Sequence, residues 1–506
     1  MNAATGSPPR PQFPVVDRVT SLIAGQRTSA PGGHEIPVIC PATETVVSRL
    51  READAQEVDA AVRAAREAFD RGPWPRMTID DRKDVLYRIR DVMRANAQEL
   101  AYLECLNTGL PLARIRDHIA RAARNFEFFA EVASTLKGET YTGLKGFLTY
   151  VTREPKGVGA LIAPWNAPLA LASMRVATCI AFGNTCVLKP SEYTPLSMLR
   201  MVELFHEAGL PPGVVNLVNG RGSVTGTALV SHPGIDMVGF TGGTHTGAAI
   251  MSAAGRHLKP CILELGGKSA NIVHPSANLE RALDGALGGI YSNNGQQCLA
   301  GSRILVHRSI ADEFIGRFVE RAQRIRIGDP LEDTTELGPL AYRDHLERVL
   351  SYVEVARSEG AELLTGGRRA PGFAKGYYME PTAVLAKSNA ARVCQDEIFG
   401  PFATFLVYDS LDEAIAIAND SPFGLVAYVW AEDLNVVMRA SREIRAGTIW
   451  VNTTLVRELR APFGGYKQSG VGRDGATASV EFFTEQKTTT IPIDPAPLPQ
   501  FGRQTR

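Results

Sequence analysis

The hydrophobic and polar positions of the chain fall into two regimes. Around Asp54 a D-x-x-E pattern (Asp54, Glu57) precedes Val58, Ala61, Val62, Ala65 and Phe69, so a capping box opens a helix with one apolar face. A second periodic run extends from Asp81 through Leu103 and stops at Asn107-Thr108-Gly109. The N-terminal part therefore reads as mainly helical. From Gly157 onward, short apolar runs (GALIA, TCVLK, VVNLV, MVGFT) alternate with helix-like segments at 197–208 and 223–230, which predicts βαβ units and a parallel sheet. A second alternating region starts near Ser269 with ANIV, RILVH and a helix over 309–324, and runs to GTIWVN at 447–452. Two α/β domains are expected. TYTGLKGFLTYVTREP, residues 140–155, reads as a hairpin standing apart from the helices, and KTTTIPI near the C-terminus as a strand without an obvious local partner.

Length and composition narrow this picture. The 506 residues allow two to four domains at about 150 residues each and exclude a single small module. The 54 Lys+Arg balance 54 Asp+Glu, so nothing in the charge calls for a nucleic-acid or membrane-surface partner. The most apolar stretch, 157–174, is interrupted by Pro164, Asn166 and Pro168 and falls short of the roughly 20 residues of a bilayer span. The N-terminal MNAATGSPPRPQFPVV is polar and Pro-rich without an apolar core, which predicts a disordered tail rather than a signal peptide. Seven cysteines, widely spaced and without zinc-type Cys/His clusters, predict reduced thiols, no metal and a cytoplasmic protein.

Candidate chemistry sits at the joints of this pattern. Cys298 lies in NNGQQCLAGS, where Asn293, Asn294, Gly295, Gln296 and Gln297 offer donors and close backbone approach, a setting for a working thiol rather than an inert packed one. Glu264 in CILELGGKSANIV sits in an apolar strand. It is either a structural ion pair with Lys268 or a general base with a raised pKa. Asn166 in APWNAPLA follows a strand between two prolines and is either an Asx turn or an amide donor to an oxyanion. The turns NGRGSVTG (219–226) and FTGGTHTG (240–247) each follow a strand and open a helix, where backbone N–H groups hold phosphate, although neither matches G-x-G-x-x-G. Lys189 and Glu192 in KPSE follow another strand end, where an acidic group suits a ribose diol and disfavours a 2′-phosphate.

Taken in order, APWN, GNTCVLKPSE, FTGGTHTG, LELGGKSANIV, NNGQQC, EIFGP, GTIWVN and PFGGYKQSG resemble the NAD(P)-dependent aldehyde dehydrogenase superfamily over nearly the whole chain. The resemblance implies an α/β fold with a Rossmann-like NAD-binding domain (1–137 and 156–265), an α/β catalytic domain (266–475) and a small β oligomerisation element (138–155 and 484–498) that pairs across subunits of a homodimer or homotetramer. It implies that Cys298 is the nucleophile, Glu264 the general base, and Asn166 with the Cys298 N–H the oxyanion hole. It assigns NAD contacts to Trp165, Lys189, Glu192, Gly222, Gly226, Phe240, Gly242, Gly243, Leu265, Glu397 and Phe399. At Gly243 many members carry serine, so one side-chain contact to phosphate is missing.

Two stretches bear on the substrate. Where relatives often place aromatics, this chain has Ala167, Ala170 and Met174 after the asparagine motif, and Arg457-Glu458-Leu459-Arg460 before Phe463 of PFGG. A wider, more cationic tunnel is expected. Arg457 or Arg460 would bind a carboxylate in two-pronged fashion, unless either simply pairs with Glu458. WVNTTLVRELRAPFGG, RNFEFFAEVAS and PPGVVNLVNGRG resemble the branch containing 5-carboxymethyl-2-hydroxymuconate semialdehyde dehydrogenase, which implies a carboxylate-bearing aldehyde. Rival readings are a broad-specificity enzyme for neutral aldehydes, a CoA-acylating relative, which would lack the glutamate base, and a silent NAD-binding structural protein, which would have lost one of Cys298, Glu264 and Asn166.

Overall fold

The structure, a computed structural model, describes residues 13–29, 33–495 and 498–502. Most of the expected N-terminal tail lies outside the described residues, as do two positions of the 484–498 segment.

The first alternating region folds as expected into a parallel sheet. Its strands are β1 (Val158–Ile162), β2 (Thr185–Lys189), β3 (Val215–Leu217), β4 (Met237–Thr241) and β5 (Cys261–Glu264), in spatial order β5-β4-β1-β2-β3. The short strands Leu22–Ile23 and Gly470–Val471 add antiparallel edges beside β3 and β5. The second of these comes from the span expected to belong to the other domain, so the chain does not divide cleanly near residue 265. Helices cover both faces, which is why the strands read as unbroken apolar runs. One face packs against α1 (Ala55–Asp70) through Val58, Ala61, Val62 and Ala65. The other packs against α2 (Leu112–Ala133) and α3 (Pro168–Ala181).

Asp54 caps α1 by accepting from the Glu57 N–H at 2.9 Å. Glu57 does not close the box, because its buried carboxylate is paired with Arg51 at 2.5 Å. The run from Asp81 to Leu103 is two helices, Ile79–Ala95 and Ala97–Thr108, parted at Asn96, whose side-chain amide bonds back to the Val92 carbonyl. Periodicity alone did not show that break, because the apolar face continues across it. The N-terminal part also holds an antiparallel pair, Glu35–Cys40 with Thr45–Arg51, that the helical reading missed.

The second region forms six parallel strands, β6 (Ala270–Val273), β7 (Arg303–His307), β8 (Thr382–Leu385), β9 (Phe402–Tyr408), β10 (Val426–Trp430) and β11 (Thr448–Val451). Their order is β8-β9-β7-β6-β10-β11, with Glu362–Thr365 antiparallel at the β8 edge.

A third sheet joins Glu139–Tyr141, Phe147–Pro155 and Thr484–Pro492. Here the sequence expectation needs correcting. The C-terminal strand has a partner in its own chain, pairing from Thr484 opposite Pro155 to Pro492 opposite Phe147. The 341-residue separation of Thr149 and Thr490, whose hydroxyls meet at 3.1 Å, hid it from local pattern. Among the described residues no helix is long and apolar enough to cross a membrane, and no group of His, Cys, Asp and Glu has the arrangement of a metal site.

Candidate active site

The nucleophile candidate is delivered by a turn that the polar residues around it build. Past the helix α4 (Leu279–Tyr291), Asn293, Asn294 and Gly295 are left-handed in succession, with φ of 57°, 56° and 70°. A side chain at Gly295 would collide with the Gly400 carbonyl. Asn293 Nδ2 donates to the carbonyls of Asn166 (2.9 Å) and Gln296 (3.1 Å). Asn294 Nδ2 donates to those of Gly109 and Pro339, while its Oδ1 accepts from the Gly338 N–H. Gln296 Oε1 accepts from the Ala341 N–H. At about 1 kcal/mol each, these bonds offset a strain on the order of 1–3 kcal/mol per left-handed non-glycine residue.

The turn throws Cys298 against Gly267, where a Cβ would stand 2.6 Å from the Cys298 carbonyl oxygen. The thiol is half-buried, and its pKa is pushed up to about 12, first by burial and then by the charges of Glu397 and Glu264; Arg121 opposes the shift. Asn166, buried in the loop between β1 and α3, donates from Nδ2 to the Gln296 carbonyl at 2.9 Å, which leaves its second N–H for another acceptor.

Glu264 ends β5, buried, and its Oε1 has no hydrogen-bond partner among the described residues. Its pKa is held well above the usual carboxylate range by burial and by the negative charge of Asp474, against the pull of Arg175, Arg457 and Arg473. The ion pair with Lys268 does not exist. Lys268 Nζ is buried and has no hydrogen-bond partner among the described residues, its pKa is pushed down to about 8 by burial, and Cys394, Glu397 and Asp396 act against that shift.

Three further charged groups, Arg175, Asp474 and Arg121, stand near Glu264 or Cys298, and the sequence reading missed them. Arg175 projects from the apolar helix α3 and is paired with Asp474 at 2.6 Å, both largely buried. Arg121, on α2, is close enough to Cys298 and Asp474 to feel both charges, and burial lowers its pKa. A lone cation inside an apolar helix was the available signal for Arg175. Arg457 lies over the Phe463 ring at 4.3 Å, with its pKa pushed down to about 10 by burial and by the cations Arg121 and Arg175. Arg460 is different: it is mostly exposed and holds Glu458 through Nε and Nη2, both at 2.8 Å. The structure thus removes Arg460 from the substrate-side candidates and gives it the surface pair. Met174 is buried on α3, and Phe463, like Cys298 and Leu299, packs against the cluster of Leu425, Val426, Tyr428 and Trp450.

The crevice for a dinucleotide opens at the carboxyl edge of the first sheet, where β1 and β4 are neighbours but their connections leave in opposite directions. Trp165 follows β1; Lys189 ends β2, with Nζ 3.9 Å from Glu192. Gly226 packs against the Lys189 stem, Phe240 lies beneath Gly242, and Leu265 fills the space left by Gly247. At Gly222 and Gly243 an added Cβ would meet nothing within 4 Å, so a phosphate has room there. Glu52 accepts from the Arg221 N–H, Nε and Nη2, so that arginine is not free to meet a 2′-phosphate. Glu397 Oε1 accepts from the Gly267 N–H at 3.0 Å, and burial pushes its pKa up to about 7. Phe399, at φ 65°, meets the Trp165 ring edge-on at 5.3 Å.

Comparison with known proteins decides what this constellation belongs to. The aldehyde dehydrogenase family profile matches residues 28–489. The chain belongs to the aldehyde dehydrogenase family. It is 43% identical to the 5-carboxymethyl-2-hydroxymuconate semialdehyde dehydrogenase of Escherichia coli, over 86% of this chain and 93% of that protein. It is 40% identical to retinal dehydrogenase 2 of Gallus gallus, over 93% and 91%. The structure of the NAD+ complex of an aldehyde dehydrogenase from Bacillus cereus superposes with a TM-score of 0.92 at 40% identity, covering 94% of this chain and 97% of that one. This aldehyde dehydrogenase is an NAD-dependent oxidoreductase, and its two α/β sheets are the family fold.

Proposed function

We propose that this aldehyde dehydrogenase oxidises a carboxylate-bearing semialdehyde, such as 5-carboxymethyl-2-hydroxymuconate semialdehyde, to the corresponding acid. The observation that carries this reading is Arg457. It is a half-buried guanidinium with no ion-pair partner among the described residues, stacked on Phe463 and close enough to Glu264 and Asp474 to feel their charges. A second half-buried cation, Arg121, stands close enough to shift the titration of both Arg457 and Cys298. Burying cations costs free energy unless an anion meets them, and a substrate carboxylate is such an anion.

The chemistry follows from the residues in place. The Cys298 thiolate adds to the aldehyde carbon, and the new C–S bond leaves an oxyanion facing the free Asn166 N–H and the Cys298 backbone N–H. NAD, when bound, supplies the acceptor for the hydride that leaves this carbon, which becomes a thioester. Glu264 then takes a proton from water, the water oxygen adds to the thioester, and the Cys298 sulfur departs with the release of the acid. The fit for NAD rests on the open space at Gly222 and Gly243 and on Glu192 beside Lys189, which suits a ribose diol.

On this reading the first sheet and its helices bind NAD, the second carries the nucleophile, and the three-stranded sheet carries subunit contacts of a homodimer or homotetramer through its outer edges. A monomer by light scattering overturns that last assignment. No disulfide joins the cysteines among the described residues, which suits the cytoplasm.

The test of the substrate is Arg457→Ala, assayed by NADH formation with matched acid and neutral aldehydes. KM for the acid aldehyde should rise at least about tenfold, about 1.4 kcal/mol, with little change for the neutral one. Equal changes for both would discard the carboxylate and leave a broad-specificity enzyme.

A further inference from the structure

Two aromatic side chains that take no part in the reaction join the nucleophile to the proposed carboxylate site. Tyr428 on β10 and Trp450 on β11 stand opposite each other in register, so both point to the same face of the second sheet, with ring centroids 5.1 Å apart. Each is buried, and each directs its one polar atom at a loop. Tyr428 Oη donates to the Leu299 carbonyl at 2.6 Å, one residue past Cys298. Trp450 Nε1 donates to the Val456 carbonyl at 2.9 Å, one residue before Arg457. The apolar contacts divide in the same way. Cys298 and Leu299 from one loop, and Leu455 and Phe463 from the other, pack against the cluster that Tyr428 and Trp450 form with Leu425 and Val426. Arg457 in turn lies over the Phe463 ring at 4.3 Å.

The segment that carries Arg457 needs such a support. Asn452 and Leu455 are left-handed, with φ of 51° and 59°, a conformation that costs a non-glycine residue on the order of 1–3 kcal/mol and persists only where neighbours hold it. Asn452 is held by its own side chain, which donates to the Ala431 carbonyl at 2.8 Å and accepts from the Ala431 N–H at 3.1 Å. Past Leu455 the Trp450 indole takes over the hold at Val456, whose own side chain is exposed. Packed rings on neighbouring strands have little freedom to change their spacing. We propose that Tyr428 and Trp450 are positioning residues that together act as a gauge: they fix the separation of the Cys298 sulfur and the Arg457 guanidinium, and so select, among carboxylate-bearing aldehydes, those whose length spans it. This rests on the reading of Arg457 as the partner of the substrate carboxylate. Neither ring needs to touch the aldehyde for the gauge to act.

The experiment uses the full-length enzyme with NAD and two matched series, straight-chain dicarboxylic semialdehydes of about four to eight carbons and the neutral alkanals of the same lengths. For the parent, kcat/KM in the acid series should peak at one length and fall by about tenfold or more two carbons away, while the alkanals change smoothly with length. Trp450→Phe keeps a ring against Tyr428 and removes the donor to Val456. It should flatten the acid peak to within about threefold and raise KM at the favoured length about fivefold, with each alkanal KM within about twofold of the parent. Tyr428→Phe removes only a hydroxyl, so it tests the gauge even if Trp450→Phe folds poorly. It should flatten the peak as well and lower kcat for both series alike, because Leu299 adjoins the nucleophile. Arg457→Ala tests the underlying reading and should abolish the advantage of acids over alkanals. If it does so while both aromatic variants keep the parental peak, the gauge is overturned and the carboxylate site stands. If Arg457→Ala leaves that advantage in place, the carboxylate reading falls, and the gauge with it. An acid series without a peak in the parent, or equal rises in KM for acids and alkanals in Trp450→Phe, likewise overturns the gauge.

Discussion

The two parallel sheets of this enzyme use opposite edges. The first sheet presents the carboxyl ends of its strands to the crevice: Trp165 and Asn166 follow β1, Lys189 ends β2, Gly242 and Gly243 follow β4, and Glu264 ends β5. The second sheet presents amino ends: Gly267 precedes β6, Cys298 precedes β7, and Glu397 and Phe399 precede β9. At a carboxyl edge, strand-to-helix turns leave backbone N–H groups and small residues to receive a ligand. At the amino edge the chain arrives from a helix or loop, and a reactive side chain is aimed only if the incoming segment is fixed. The left-handed turn at Asn293–Gly295 and the 397–399 loop, whose carbonyls accept hydrogen bonds from Arg348 and His345, are such fixings. Apart from the reacting carboxylate Glu264, the carboxyl edge should therefore tolerate change that the amino edge does not.

The sharpest break of this contrast is Cys298→Ala, which should lower NADH formation by at least about 10³-fold while leaving NAD binding by fluorescence titration near the parental value. Glu264→Gln should lower steady-state turnover by about 10²- to 10⁴-fold and leave an acyl-enzyme visible by intact-protein mass spectrometry after mixing with aldehyde and NAD. Loss of activity with no acyl-enzyme would move Glu264 to a step before the thioester.

The pH profile sharpens the same point. Cys298, Glu264 and Glu397 are all acids held above their ordinary pKa values by burial, so the deprotonated fraction grows with pH. kcat/KM should climb from pH 6 to about pH 9; a profile that falls over this range would contradict the placement of the base. Asn293→Ala removes the ties to Asn166 and Gln296 and should cost about 10- to 100-fold in kcat/KM, because it loosens both nucleophile and oxyanion donor. At the forgiving edge, Gly243→Ser places a hydroxyl where nothing lies within 4 Å of the new Cβ. It should lower KM for NAD by about two- to fivefold, a modest hydrogen bond to phosphate. A large rise in that KM would show that the carboxyl edge is as tightly fixed as the amino edge.

Legibility in the sequence followed the same division. The strands of both sheets were readable because helices bury both of their faces, so apolar runs such as TCVLK and RILVH match the observed strands end to end. Asn293, Asn294 and Gln296 were readable as something other than packing because polar residues in such numbers need partners; which partners could not be read. Glu264 was ambiguous, since an acid and a lysine four residues apart fit either an ion pair or a base. Arg457 and Arg460, three residues apart in one segment, were indistinguishable until the structure turned one inward and the other out to Glu458.

What the sequence by itself determined is the chemistry available and the local elements that carry it: a thiol in a polar turn, a carboxylate ending an apolar strand, glycines after strands, and a dehydrogenase pattern spanning the chain. Only the tertiary structure decided which charges meet. Arg175 and Asp474 lie 299 positions apart, and Asn166 and Gln296 130 apart, yet each pair is in hydrogen-bond contact. The physical reason is that periodicity and capping act within a few residues, whereas burial and Coulomb forces depend on distance through space. The fold, by setting the carboxyl edge of one sheet against the amino edge of the other, brings Glu264 and Cys298 close enough for the carboxylate charge to raise the thiol pKa.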